Sequence, residues 1–171
     1  MSTINRRLLR INLNDSSSRE ESIPPQTIKH FISARGLGSK YLYDELAPAV
    51  DPLSHKNKLL LLVGVLAGTG LQGFSKWAVM SKSPLTGTVV DSHMGGWSGA
   101  RFRWAGFDAL IVRGQSATPV YLYIADGTYS SGFATGLSGC GDAGSAHIAL
   151  SAADSCPVLG CTIRATNVTD P

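Results

Sequence analysis

Apolar and polar residues alternate over residues 7–13, the period of a half-buried strand. Residues 26–34 place Ile28, Phe31 and Ile32 at helical spacing, with Gly36 following as a stop signal. A second short helix is predicted over 39–46, ended by Pro48. Residues 58–63, 76–81, 109–113 and 120–124 read as strands, most of them separated by turns containing Gly or Pro. The longest apolar run, 59–67, is broken by Gly64 and falls well short of the roughly 20 residues that span a bilayer. It reads as a buried strand entering a glycine turn. Many short strands with two early helices predict a sheet-dominated α+β domain, and no internal repeat is visible.

The pattern fades after Asp126. Residues 127–171 hold one of the fifteen basic residues, Arg164, and no Glu or Lys; Gly, Ala, Ser and Thr dominate. Neither helical spacing nor clean alternation runs through them, so this segment is poorly equipped to offset its own ordering entropy. The expected division is a domain over 1–126 and a divergent tail over 127–171, read either as a flexible tail or as a shifted reading frame.

Composition narrows the function classes. With 43% hydrophobic and 16% charged residues in 171, one domain with a sizeable core is affordable, and the net charge of +3 is too small and scattered to argue for nucleic acid. Arg6, Arg7 and Arg10 are the densest basic cluster and read as a solvated strand face. Trp97 and Trp104 flank Arg101 and Arg103, a pattern open to single-strand nucleic acid, but packing of a strand is the preferred reading. The N-terminus is polar and basic with no apolar region after it, so no secretory signal is expected. The odd count of cysteines (Cys140, Cys156 and Cys161) argues against a disulfide scaffold, which makes the cytoplasm the expected location. His147 and Asp154 lie near those cysteines, but a coincidental grouping is preferred and no metal ligand is assigned.

Glycines punctuate the middle of the chain. Gly68, Gly70 and Gly73 follow the buried strand; Gly87, Gly95, Gly96, Gly99, Gly106 and Gly114 separate later ones. They read either as tight turns or as places where a ligand or another backbone comes close. None matches a dinucleotide fingerprint or a P-loop.

Between Asp51 and Gly114 an ordered set of short pieces appears: Asp51-Pro52-Leu53-Ser54, Asn57-Lys58-Leu59, Leu66-Ala67-Gly68-Thr69-Gly70, Ser81-Lys82-Ser83-Pro84-Leu85-Thr86-Gly87, Met94-Gly95-Gly96 and Ala105-Gly106-Phe107-Asp108-Ala109. In that order and spacing they resemble the N-terminal domain of the tungsten-containing aldehyde:ferredoxin oxidoreductases. Leu9-Arg10-Ile11-Asn12-Leu13 resembles the opening strand of that family, and the similarity runs over about residues 5–127. The resemblance implies two antiparallel sheets with short helices, forming a saddle under a tungsten (or molybdenum) ion held by two pterin dithiolenes. It places cofactor contacts at Lys76, where the family has Arg, at His93, where it has Asn, and at Gly95, which matches. Lysine keeps the charge but loses the bidentate fork, and imidazole donates without amide geometry.

The same resemblance implies a 4Fe-4S cluster and a ferredoxin-type electron acceptor, both belonging to later domains. The cysteine gaps here, sixteen and five residues, do not fit the cluster motif, so its ligands are absent, and no catalytic residue is named. The expected function is the pterin-binding part of an enzyme that oxidises aldehydes to carboxylic acids, inactive without partner domains or a partner subunit; a homodimer is also open. The alternatives are a non-catalytic binding or assembly module that keeps the fold, and a truncated or frameshifted product. No nucleic-acid or membrane partner is expected.

Overall fold

The computed structural model describes residues 6–116, 120–125, 128–133 and 146–150. In chain order the elements are β1 (Arg7–Asn12), β2 (Ser17–Ser22), α1 (Pro25–Phe31), α2 (Arg35–Glu45), β3 (Lys58–Val63), β4 (Trp77–Lys82), β5 (Val89–Met94), α3 (Ser98–Trp104), β6 (Ala109–Arg113), β7 (Val120–Ala125), β8 (Thr128–Phe133) and β9 (Ala146–Leu150). The expected sheet-dominated α+β architecture is present. Six strands form one sheet in the order β2-β1-β6-β3-β4-β5, and three form a second in the order β8-β7-β9.

Neither sheet is wholly antiparallel, which corrects the expectation. β1 pairs with β6 in parallel, as does β7 with β9. A parallel pair needs a long crossover, and the intervening helices and β3–β5 provide one for β1 and β6. Residues 128–133 and 146–150, inside the stretch where the pattern fades, are strands of the second sheet.

β3 explains the apolar run. Leu60 and Leu62 face one side with Leu8, Ala78, Met80, Ala109 and Ile111, under Ile23, Leu37 and Leu42. Leu61 and Val63 face the other with Leu9, Ile11, Trp77 and Leu110, against Phe102, Phe107, Leu122 and Ile124. A central strand covered on both faces must be apolar throughout rather than alternating, and each such side chain contributes about 1.5–3 kcal/mol by leaving water.

Three local expectations change. Gly36 does not stop a helix; it lies in the first turn of α2, and the break falls at 32–34, where Ile32 and Ala34 both take positive φ. Gly38 allows α2 to lie against the sheet, since a Cβ there would stand 2.2 Å from Met80 Sδ. The stretch around Arg101 is the helix α3 rather than a strand, with Gly99, Ala100 and Phe102 buried. Two turns of alternating Arg and aromatic residues fit either period, and the close approach of Gly99 to Ser75 and Trp77 decides it.

The arginines at the N-terminus are not a solvated face. Arg6 is buried and donates from Nη1 to Ile32 O at 2.9 Å; Arg7 pairs with Glu20, and Arg10 with Glu21 and Glu45. Among the described residues no helix is long and apolar enough to cross a membrane.

Candidate functional site

β4 and β5 form an antiparallel ribbon at one edge of the large sheet, with Trp77 opposite Met94 and Ala78 opposite His93. Lys76 precedes Trp77 and Gly95 follows Met94, so Lys76, His93 and Gly95 gather at one end of this ribbon. β3 ends beside them: Gly64 N donates to Lys76 O at 3.0 Å, and Val63 N donates to Asp108 O at 2.9 Å. The loop 64–76, the turn 95–97, α3 and the turn before β6 therefore share one end of the sheet.

That end is anchored on one side and open on the other. Arg103 donates from Nη1 to Val65 O (2.7 Å) and Ala67 O (2.8 Å), and from Nε and Nη2 to Asp108 Oδ1 (3.0 and 2.7 Å). Trp104 Nε1 donates to Gly68 O at 2.9 Å. Gly68 takes φ +76°, and a Cβ on it would come to 3.0 Å from the same Nε1, so only glycine suits this joint. Beyond it the chain opens: a Cβ on Gly70, Gly73, Gly95 or Gly96 would meet nothing within 4 Å. The amides of these four residues reach no acceptor among the described residues.

Lys76 is exposed, with no side-chain partner among the described residues. His93 sits with Nδ1 3.6 Å from Asp91 Oδ2, which also accepts from Arg35 Nε at 2.5 Å. Asp91 thus ties the strand to the start of α2 and lies beside Nδ1 of the ring, whose Nε2 has no partner among the described residues. An unpaired ammonium, a ring N–H and several open backbone amides suit an anionic, planar ligand, since fixed donors need no reorganisation to meet it. Around them Leu71, Phe74, Trp97 and Trp104 are all at least half exposed, and the two indoles contact each other at 6.0 Å between centroids. The sequence pattern gave Arg103 and Arg35 no role at this end of the sheet; that signal is tertiary, because partners such as Val65, Ala67 and Asp91 lie in distant segments.

Not every expected residue falls in this region. Cys140, Cys156, Cys161 and Asp154 lie outside the described residues. Among the described residues no group of three or more His, Cys, Asp or Glu side chains is arranged to hold a metal. Concave surfaces among the described residues lie elsewhere: two polar cavities of about 350 and 430 Å³ at the opposite end of the sheet, and an apolar groove of about 1080 Å³ between α2 and the turn joining β4 to β5.

Comparison with known proteins bears on the same segments. The family model described as aldehyde ferredoxin oxidoreductase, N-terminal domain, matches residues 8–152, past the fading of the pattern at Asp126. The chain is 41% identical over 120 residues to a tungsten-containing aldehyde ferredoxin oxidoreductase of Pyrococcus abyssi, covering 70% of this chain and 20% of that protein. It is 36% identical over 144 residues to the WOR-like subunit of an aliphatic sulfonate oxidoreductase of Pyrococcus furiosus, covering 82% of this chain and 23% of that protein. Among solved structures, the active-site complex BamBC of benzoyl coenzyme A reductase, in complex with 1,5-dienoyl-CoA, matches with a TM-score of 0.75 and 32% identity, covering 78% of this chain and 20% of that one. The chain thus spans about a fifth of the length of the relatives it matches.

Proposed function

Because this chain belongs to the family of aldehyde ferredoxin oxidoreductase N-terminal domains, we propose that it forms one wall of the tungsten–pterin (or molybdenum–pterin) site of an oxidoreductase. The observation that supports this reading most is the gathering of Lys76, His93 and Gly95 with unpaired amides at one end of the β4–β5 ribbon. Lys76 pairs with a pterin phosphate as a point charge, His93 donates from Nε2, and the Gly95 and Gly96 amides complete the donor set. Asp91 lies beside the His93 ring on its Nδ1 side. All of these residues precede Asp126.

When bound, the metal–pterin group supplies the two-electron redox chemistry that takes an aldehyde to a carboxylic acid. This chain's own part is to hold and orient it. The substrate pocket, the 4Fe-4S cluster and the path to a ferredoxin-type acceptor belong to the remaining oxidoreductase domains or subunit, so the chain by itself is inactive. The relatives are named for different substrates, aldehydes and aliphatic sulfonates, as expected if this wall serves the cofactor rather than the substrate. The exposed Leu71, Phe74, Trp97 and Trp104 give the remaining domains an apolar surface to cover. A cytoplasmic setting is part of the same proposal.

The test is cofactor content. The chain is produced anaerobically, with tungstate, alongside the remaining oxidoreductase domains, and the purified assembly is assayed for metal by mass spectrometry and for pterin by fluorescence after oxidation. Stoichiometric tungsten or molybdenum with pterin is expected, reduced by Lys76→Glu and retained or raised by Lys76→Arg, which restores the bidentate fork. An intact assembly free of metal and pterin sinks this reading and supports the second one, a non-catalytic module, which the Lys76 and His93 departures favour.

A further inference from the structure

The opposite end of the large sheet carries a second cluster of charge that the cofactor reading does not use. Lys58 lies opposite Arg113, Arg113 beside Asn12, and Arg10 opposite Arg19, so four cations share the face of the sheet just beyond the C-terminal end of α2. With Glu21 and Glu45 they line a cavity of about 350 Å³. An adjoining cavity of about 430 Å³ shares Asn12, Glu45, Lys58 and Arg113 with it and adds Lys56 and His55 at its rim. Five cations face two carboxylates, an excess of three that equals the excess of the whole chain. The rest of the protein is balanced, so this charge is local rather than diffuse.

The carboxylates are already committed. Glu45 receives Arg10 through both oxygens at 2.9 and 2.6 Å, and Lys58 at 2.7 Å. Glu21 receives Arg10 at 3.0 Å and Arg19 at 3.5 Å. Arg113 has no ion pair and no side-chain hydrogen bond among the described residues. Its backbone is nonetheless held firmly. Arg113 O accepts from Leu13 N at 2.8 Å, and Gly114, at φ +86°, closes against Asn12 and Asn14 so tightly that a Cβ would stand 2.8 Å from either side-chain oxygen. Gln115 N donates to Asn14 Oδ1 at 2.8 Å. A guanidinium with no bonding partner among the described residues, on a firmly held strand end, shares its face of the sheet with Ser17 and Arg19 in a cavity of ligand size and is available to an anion.

We propose that this cavity binds a phosphate group, with Arg113 as the principal contact and Arg19 and Ser17 completing the shell. The donor set suits a tetrahedral dianion: a guanidinium fork can meet two oxygens and leave the others to Arg19 and the Ser17 hydroxyl. The residual volume accommodates the rest of a small phosphate monoester. This site stands apart from the cofactor wall, five residues or roughly 17 Å along the strands, and its test does not depend on that reading.

The experiment is calorimetric titration of the full chain with inorganic phosphate and, separately, with glucose 6-phosphate. Amide spectra of Asn12, Gly114 and Gln115 are followed in parallel. Saturable binding is expected at millimolar phosphate or below. Arg113→Gln should weaken it about tenfold or more, Arg113→Lys by less, and Lys29→Gln on the far side of α1 not at all. Tighter binding of the monoester identifies a phosphorylated metabolite as the occupant; equal binding identifies the free ion. Because the Arg113 side chain is exposed and makes no ion pair or hydrogen bond among the described residues, the variants should melt with the parent, which separates lost binding from lost folding. No saturable binding of either probe, or equal weakening by Lys29→Gln, overturns the proposal.

Discussion

Replacing Glu45 with glutamine should unfold the protein more easily at neutral pH and make almost no difference in acid. Glu45 closes α2 onto the sheet. Its carboxylate takes three charge-assisted hydrogen bonds, two from Arg10 and one from Lys58, with all three side chains about three-quarters buried or more. Burial by itself pushes its pKa up, but the hydrogen bonds from Arg10 and Lys58 together outweigh this and leave it below its ordinary value of 4.5. Glutamine keeps the shape and one acceptor oxygen, so the loss is the charge-assisted part, about 2–3 kcal/mol after partial solvent screening. Removing a negative charge from the C-terminal turn relieves about 0.5 kcal/mol of unfavourable helix dipole. The net cost is about 2 kcal/mol, which in a chain of this length lowers Tm by roughly 4–8 °C.

The pH dependence sharpens the test. The folded carboxyl has the lower pKa, so its stabilising effect is complete above the unfolded value and disappears as pH falls through the folded one. The gap between parent and variant should therefore be full near neutrality and close below about pH 4. Urea denaturation of both proteins at several pH values measures it. A gap below about 0.5 kcal/mol at neutral pH, or one that does not change on acidification, refutes the network as a stabilising element.

Other substitutions probe the packing. Phe102→Ala removes a fully buried ring that contacts Trp77 and Phe107, each at 6.3 Å between centroids, and should cost about 3–5 kcal/mol in urea denaturation; a loss under about 1 kcal/mol contradicts the position of α3. Gly38→Ala should cost about 1 kcal/mol, because the overlap with Met80 and Leu62 exceeds the helix-propensity gain that alanine brings at an open site; a stabilised variant shows that α2 lies farther from the sheet.

Much of the architecture was legible in local pattern. The alternation at the start of the chain, the apolar run of β3 and the strands β6 and β7 are visible because burial on one or both faces imposes a period on the residues. β2 was not, since its six residues, Ser17–Ser22, are all polar on an exposed edge, where no face demands apolar side chains. β5 is likewise almost wholly exposed and left little signal. The position of Lys76, His93 and Gly95 in the chain came from resemblance of motifs, and the structure shows them at one end of the sheet.

By itself the sequence determined the α+β class, the family and the spacing of its glycines, because these depend on residues near one another in the chain. Only the tertiary structure decided the rest. The parallel pairing of β1 with β6, Arg103 bound to the loop after β3, and Arg10, Lys58, Glu45 and Arg113 gathered around one cavity all join segments tens of residues apart. Charge pairs of that kind leave no period in the sequence, since Coulomb attraction and hydrogen bonding act on distance in space, which packing of the two apolar faces sets.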